Sequence, residues 1–133
     1  IFPLHPRTRN NFKKFGKMSL LENESNIFLF EPLGYLEFVS LVGSSSLVIT
    51  DSGGLQEETT SLGIPCLTLR ENTERPITIT EGTNQLITDL STLQALVDEA
   101  LANTNSIEIP KPKFWDGKTA QRIVDAIIEC IER

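Results

Sequence analysis

The densest chemistry in the sequence lies in Asp51-Ser52-Gly53-Gly54-Leu55-Gln56-Glu57-Glu58, directly after the apolar run Leu47-Val48-Ile49-Thr50. An apolar run of this length suits a strand buried in a parallel sheet. The residues after the glycines suit a helix, closed by Gly63 and Pro65. Ligands of parallel α/β sheets sit beyond the carboxyl ends of the strands. A helix N-terminus placed there offers unpaired backbone N–H groups and the positive end of its dipole. Glycines let an anion approach the backbone with no Cβ in the way. Ser52, Gly53 and Gly54 are therefore a candidate phosphate site, with the Ser52 hydroxyl as an added donor. Glu58 lies one turn beyond Gly54, and helical side chains lean toward the N-terminus. Its carboxylate suits a ribose diol, since two oxygens accept two hydroxyl hydrogens. Glu57 is rotated about 100° from it. A plainer account, in which both acids only complement the helix dipole, fits the local pattern equally well.

A second constellation is Leu69-Arg70-Glu71-Asn72-Thr73-Glu74-Arg75-Pro76. It follows the next strand, so a parallel sheet brings it to the same edge. Arg75 is a candidate phosphate clamp, because a guanidinium makes paired bonds to phosphate oxygens. On the local pattern alone, pairing of Arg70 and Arg75 with Glu71 and Glu74 is the favoured account. His5 ends the first strand and is the only histidine. It suits a ligand contact, an acid/base group or, more ordinarily, a hydrogen-bonded loop residue. Metal binding is disfavoured, with no second histidine and no cysteine near it. Phe38 has the flat face to stack on a base, although a core phenylalanine is commoner.

These residues require strands and helices in alternation. Ile1 to His5 is a strand candidate and Thr8 to Phe15 a short helix. Ile27-Phe28-Leu29-Phe30 reads as a strand buried on both faces. Tyr35, Phe38, Val39 and Val42 recur at helical spacing. Cys66 to Leu69 is a strand, a short helical turn follows Pro76, and Gln85 to Thr88 is a brief strand. Ser91 and Gln94 form a capping-box pattern before the stripe Leu93, Leu96, Val97 and Leu101. Asn103 to Pro112 reads as a loop, and Lys118 to Glu132 as a helix with Ile123, Val124, Ile127, Ile128 and Ile131 on one side. Alternation of this kind predicts an α/β fold, a Rossmann-like parallel sheet with helices on both faces.

Composition bounds the function. At 133 residues the chain is one domain's worth. Its 39% hydrophobic content suits a soluble fold with its own core. No apolar run approaches the roughly 18 residues of a membrane span. Two distant cysteines, Cys66 and Cys130, exclude a disulfide scaffold and suit a reducing cytosol. Net charge is −6, but Arg7, Arg9, Lys13, Lys14 and Lys17 all precede the first acid, Glu22. The acidic balance disfavours nucleic acid as a partner. The basic start reads first as a solvated helix face. Ile1-Phe2-Pro3-Leu4-His5 begins without Met and lacks signal-peptide features. It reads as a strand in mid-domain, so the chain is expected to be a piece of a longer protein.

Together these motifs, in order with Pro32-Leu33-Gly34-Tyr35-Leu36-Glu37-Phe38, Gly82-Thr83-Asn84 and Asp116-Gly117-Lys118, resemble the C-terminal domain of the non-hydrolysing UDP-N-acetylglucosamine 2-epimerases. The resemblance covers nearly the whole chain, and the Asp51–Glu58 and Asn72–Pro76 motifs are its most specific parts. It implies the C-terminal half of a glycosyltransferase-B (GT-B) fold. The expectation is one UDP-binding domain over residues 1–133, truncated at its N-terminus, with the catalytic N-terminal domain absent.

The family interconverts UDP-GlcNAc and UDP-ManNAc by eliminating and re-adding UDP, with no metal or nicotinamide cofactor. Carried over by position, Ser52, Gly53 and Gly54 would bind the diphosphate. Glu58 would take the ribose hydroxyls, Arg75 the phosphates and Phe38 the uracil. His5 matches a family histidine near the nucleotide-sugar region, including an activating second site of some bacterial members. Leu33 departs from a glutamine found in some members. The family's catalytic His-Arg-Arg-Glu motif and its carboxylates are not among these residues, so the resemblance places no catalytic residue here. The resemblance further implies a cytoplasmic homodimer with UDP-sugar as its partner and no membrane. The competing expectations are the nucleotide half of a GT-B glycosyltransferase, a UDP-GlcNAc-hydrolysing relative, and a non-catalytic UDP-sugar-binding module.

Overall fold

The computed structural model describes residues 1–103 and 112–132. The chain gathers into two compact units, Ile1–Ser40 and Leu41–Arg133.

In the first unit, β1 (Phe2–Pro3) and β2 (Leu29–Phe30) pair in parallel, with Phe2 opposite Leu29. Between them lie α1 (Pro6–Lys14) and the short α2 (Ser19–Glu22). Pro6 suits the first turn of α1, where its missing N–H costs no helical hydrogen bond. The sequence did not predict α2: four residues, Ser-Leu-Leu-Glu, are too few to show a period. Leu4 is completely buried. The expectation that Ile27–Phe30 is buried on both faces is overturned, with Phe28 58% and Phe30 45% exposed. Phe28 precedes β2 and Phe30 lies in it, and β2 belongs to a two-stranded sheet, which covers less surface than a larger one. Arg9 pairs with Glu31 at 2.8 Å, while Arg7, Lys13, Lys14 and Lys17 are exposed, as expected of a solvated basic face. Helix α3 spans Tyr35–Gly43.

The second unit is built on a parallel three-stranded sheet in the order β3 (Val48–Thr50), β4 (Cys66–Thr68), β5 (Asn84–Leu86). Cys66 lies opposite both Val48 and Asn84. The central strand β4 is buried along its length, as its position requires. Helix α4 (Gly53–Leu62) makes the β3–β4 crossover and α5 (Ile77–Thr80) the β4–β5 crossover. α4 ends at Gly63, whose φ of 72° is left-handed and favours glycine.

The capping box at Ser91 is a correction. Asp89 is the residue that caps: its carboxylate accepts from Ser91 N at 2.8 Å and opens a 3₁₀ turn, Leu90–Thr92. Helix α6 (Leu93–Ala102) starts only after that turn, and Gln94 bonds Asp98 one turn on. Asp89, two residues upstream of the expected cap, accepts from the Ser91 N–H and so starts the turn. Helix α7 (Thr119–Ile131) follows Asp116-Gly117-Lys118, where Asp116 Oδ1 accepts from Lys118 N at 3.0 Å. Of the loop expected over Asn103–Pro112, residues 104–111 lie outside the described residues.

The parallel strands and alternating helices are those the sequence predicts, gathered into two sheets. No helix among the described residues is long and apolar enough to cross a membrane.

Candidate functional site

Because β3 and β4 are parallel neighbours, the segments leaving them share one edge of the sheet. β3 leads through Asp51 and Ser52 into α4, and β4 leads into the loop carrying Arg70 and Arg75. Ser52 sits at the N-cap in extended conformation, yet its side chain makes no capping hydrogen bond. Its N–H donates instead to Thr50 Oγ1 at 3.0 Å. The opening N–H groups of α4 are thus not satisfied by a cap side chain, which leaves donors for an anion. Gly53 is half-buried and Gly54 exposed.

Two guanidinium groups belong to this edge. Arg75 Nε lies 2.9 Å from Glu57 Oε2, each side chain 43% exposed. The local expectation that Arg75 pairs with Glu71 or Glu74 is therefore corrected: its carboxylate partner comes from α4. The tertiary fold brings Glu57 to it, which no spacing within the loop reveals. Arg70 Nη1 lies 3.2 Å from where a Cβ on Gly53 would sit, with Glu74 Oε2 at 3.8 Å. Sequence reasoning treated Arg70 as a structural ion-pair residue, but the fold sets it beside the glycine at the helix start. Glu58, one turn along α4, is half-buried.

Beneath the edge is a polar core that sequence reasoning missed. Gln56, Thr59 and Thr60 are fully buried on α4. Their i, i+3, i+4 spacing is that of a buried stripe made of polar residues. That spacing was the available signal: a helix between two strands with no apolar stripe must bury polar groups. Gln56 Oε1 accepts from Thr73 Oγ1 at 2.6 Å and from Asn84 Nδ2 at 3.2 Å. Asn84 Oδ1 accepts from Thr68 Oγ1 at 2.6 Å. Thr68 Oγ1 is also 3.6 Å from Cys66 Sγ. Burial pushes the Cys66 thiol up from its ordinary range, against the opposing hydrogen bonds of Thr68 and Thr59.

His5 and Phe38 belong to the first unit. His5 is exposed and caps α1, its Nδ1 accepting from Arg7 N at 3.2 Å. That is the ordinary hydrogen-bonded role, and it leaves Nε2 outside the cap. Phe38 is half-buried in α3. Ser52, Gly53, Gly54, Glu58 and Arg75 all belong to the second unit, on α4 and the neighbouring loop. No group of three or more His, Cys, Asp or Glu side chains suited to a metal ion occurs among the described residues.

The family model described as UDP-N-acetylglucosamine 2-epimerase matches residues 1–128. Over 128 residues the chain is 44% identical to the UDP-N-acetylglucosamine 2-epimerase of Methanococcus maripaludis, covering 96% of this chain and 34% of that protein. A solved structure of UDP-GlcNAc 2-epimerase from Methanocaldococcus jannaschii superposes with a TM-score of 0.81 at 39% identity, covering 96% of this chain and 35% of that one. A second structure of the M. jannaschii protein, in complex with UDP-GlcNAc and UDP, gives a TM-score of 0.79 at 40% identity and covers the same shares. The chain thus spans about a third of the length of these relatives. They have a GT-B-like fold, so the expected fold class holds.

Proposed function

The chain belongs to the UDP-N-acetylglucosamine 2-epimerase family, and from that premise we propose that it supplies UDP binding to an isomerase interconverting UDP-GlcNAc and UDP-ManNAc. The observation that carries this reading is the joined pair of elements at one sheet edge. A helix opening on Gly53-Gly54, with no side-chain cap, is bound through Glu57 to the loop bearing Arg75. Such an edge supplies backbone donors, a helix dipole and fixed cations together, which is what a diphosphate requires.

In this reading Ser52, Gly53 and Gly54 hold the diphosphate, Arg75 neutralises its charge and Glu58 takes the ribose hydroxyls. Phe38 at the uracil and His5 near the nucleotide sugar rest on the family resemblance alone. Elimination of UDP needs a base at C2 of the sugar and an acid at the leaving oxygen. The resemblance implies that both lie outside these segments, and on this reading residues 1–133 bind UDP and do not turn over by themselves. Stabilising the departing UDP as an anion is the contribution of this edge to the chemistry. The remainder of the reading is a UDP-binding domain within a longer, cytoplasmic, homodimeric enzyme.

Calorimetry with UDP tests the site. The parent chain should bind UDP weakly, with Glu58→Ala and Arg75→Ala each reducing affinity about tenfold, in line with loss of a charged hydrogen bond. Unchanged affinity in both variants would refute the site assignment.

A further inference from the structure

We propose that the buried amides of Gln56 and Asn84 form a positioning frame for Arg75, acting through the hydroxyls of Thr73 and Thr78. The inference rests on the reading of Arg75 as a phosphate contact and extends it to residues that touch no ligand.

The hydrogen bonds run to the two ends of one residue. Arg75 N donates to Thr73 Oγ1 at 2.9 Å, and Thr73 Oγ1 donates onward to Gln56 Oε1 at 2.6 Å. Arg75 O accepts from Thr78 Oγ1 at 2.8 Å and from Thr78 N at 3.0 Å. Thr78 Oγ1 in turn accepts from Asn84 Nδ2 at 3.4 Å. Asn84 Nδ2 carries two hydrogens, and its second reaches Gln56 Oε1 at 3.2 Å. Every proton in this circuit has one direction. Each threonine hydroxyl accepts once and donates once, as its inventory permits. The Arg75 backbone is thereby held at its N–H and at its carbonyl by two hydroxyls anchored in the same amide pair.

The frame is buried where Arg75 itself is exposed. Gln56 and Thr78 have no exposed surface, and Asn84 retains 5%. Stability alone does not account for it. Gln56 Nε2 is buried with no hydrogen-bond partner among the described residues, a costly arrangement that an apolar side chain would avoid. The orientation of that amide follows from its neighbours, because Oε1 is the atom that receives both donors. What the amide achieves is a fixed distance between α4, which opens at the glycines, and the loop that presents Arg75. The Glu57–Arg75 ion pair acts between the same two elements but is half-exposed, so it is screened and weaker.

Thr73 offers the cleanest test, since it is only half-buried and its hydroxyl is the single link on the N–H side. UDP affinity is measured by calorimetry on the 133-residue chain for Thr73→Val, Thr73→Ser, Arg75→Ala and the Thr73→Val/Arg75→Ala pair. Thr73→Val keeps the shape and removes both hydrogen bonds, so affinity should fall about tenfold, as for a misplaced charged contact. Thr73→Ser keeps the hydroxyl and should stay within about twofold of the parent. In the Arg75→Ala background, Thr73→Val should cost nothing more, because the frame has lost the group it positions. Gln56→Met, which keeps chain length in the buried slot without an amide oxygen, should show the same dependence on Arg75.

An additive loss in the double variant, or an equal loss in Thr73→Ser and Thr73→Val, would overturn the positioning role while leaving Arg75 as a phosphate contact. Unchanged affinity in Arg75→Ala would instead overturn the underlying reading of Arg75, and the frame with it.

Discussion

Glu57 Oε2 on α4 lies 2.9 Å from Arg75 Nε on the loop after β4. The contact runs through Nε of the guanidinium. A residue of the helix that opens on the glycines thus fixes the direction of a loop cation. Both side chains are 43% exposed, so water and salt screen the pair. Glu57→Gln should therefore lower unfolding free energy by less than about 1 kcal/mol. The difference from the parent in urea melts should vanish at high salt. A loss of about 3 kcal/mol would mark the pair as energetically buried instead.

Two glycines should respond oppositely to alanine. A Cβ on Gly53 meets the flexible ends of two side chains, Arg70 Nη1 at 3.2 Å and Glu74 Oε2 at 3.8 Å. Gly53→Ala should keep its melting temperature within a few degrees of the parent yet weaken UDP binding about tenfold, because the methyl group stands where an anion would approach the backbone. A Cβ on Gly82 comes within 2.6 Å of Thr60 Oγ1 and collides with the Thr78 carbonyl oxygen. Gly82→Ala should lose about 1–3 kcal/mol, the usual cost of overpacking, in denaturant melts.

The cysteines should titrate as two kinetic classes. Cys130 is exposed and Cys66 is buried. A disulfide-exchange reagent should modify one thiol at once and the second only on unfolding. Burial raises the folded Cys66 thiol above its ordinary value of 9.0. The unfolded thiol then releases its proton first, so unfolding is favoured as pH rises past about 9. A Cys66→Ala variant lacks that titration, and its stability deficit relative to the parent should narrow between pH 8 and 10.

A carboxylate sets the acid side. Arg122 bonds both oxygens of Asp116, and Lys118 N donates to it as well, holding its carboxyl down at about 2 from an ordinary 3.8. A lowered folded value stabilises above the unfolded one and loses that effect as pH falls toward 2. Asp116→Asn should therefore be less stable than the parent at pH 6 and indistinguishable from it below pH 2, followed by the helical circular dichroism signal on heating.

Much of the fold was legible because local signals agreed with it. Leu47–Thr50 and Cys66–Leu69 are apolar runs bounded by turn residues, and both became neighbouring parallel strands. Gly63 and Pro65 marked the end of α4 because glycine alone sits easily at a φ of 72°. The capping residue before α6 was misread because Asp89 and Ser91 are both good caps, and only the backbone path decides between them. Phe28 and Phe30 looked buried because an apolar run does not reveal how many strands its sheet contains.

The sequence by itself determined the alternation of the main strands and helices, the glycine-opened helix and its family. Each depends on residue types at fixed short spacings. Only the tertiary structure decided the partners of Arg75. Its carboxylate comes from Glu57, 18 positions earlier, and the amides beneath it come from Gln56 and Asn84, 28 positions apart. Those distances along the chain are closed by two crossovers of a parallel sheet. A buried donor or acceptor must find a partner wherever the fold supplies one, so hydrogen-bond pairing of this kind is set in space, after the strands have aligned.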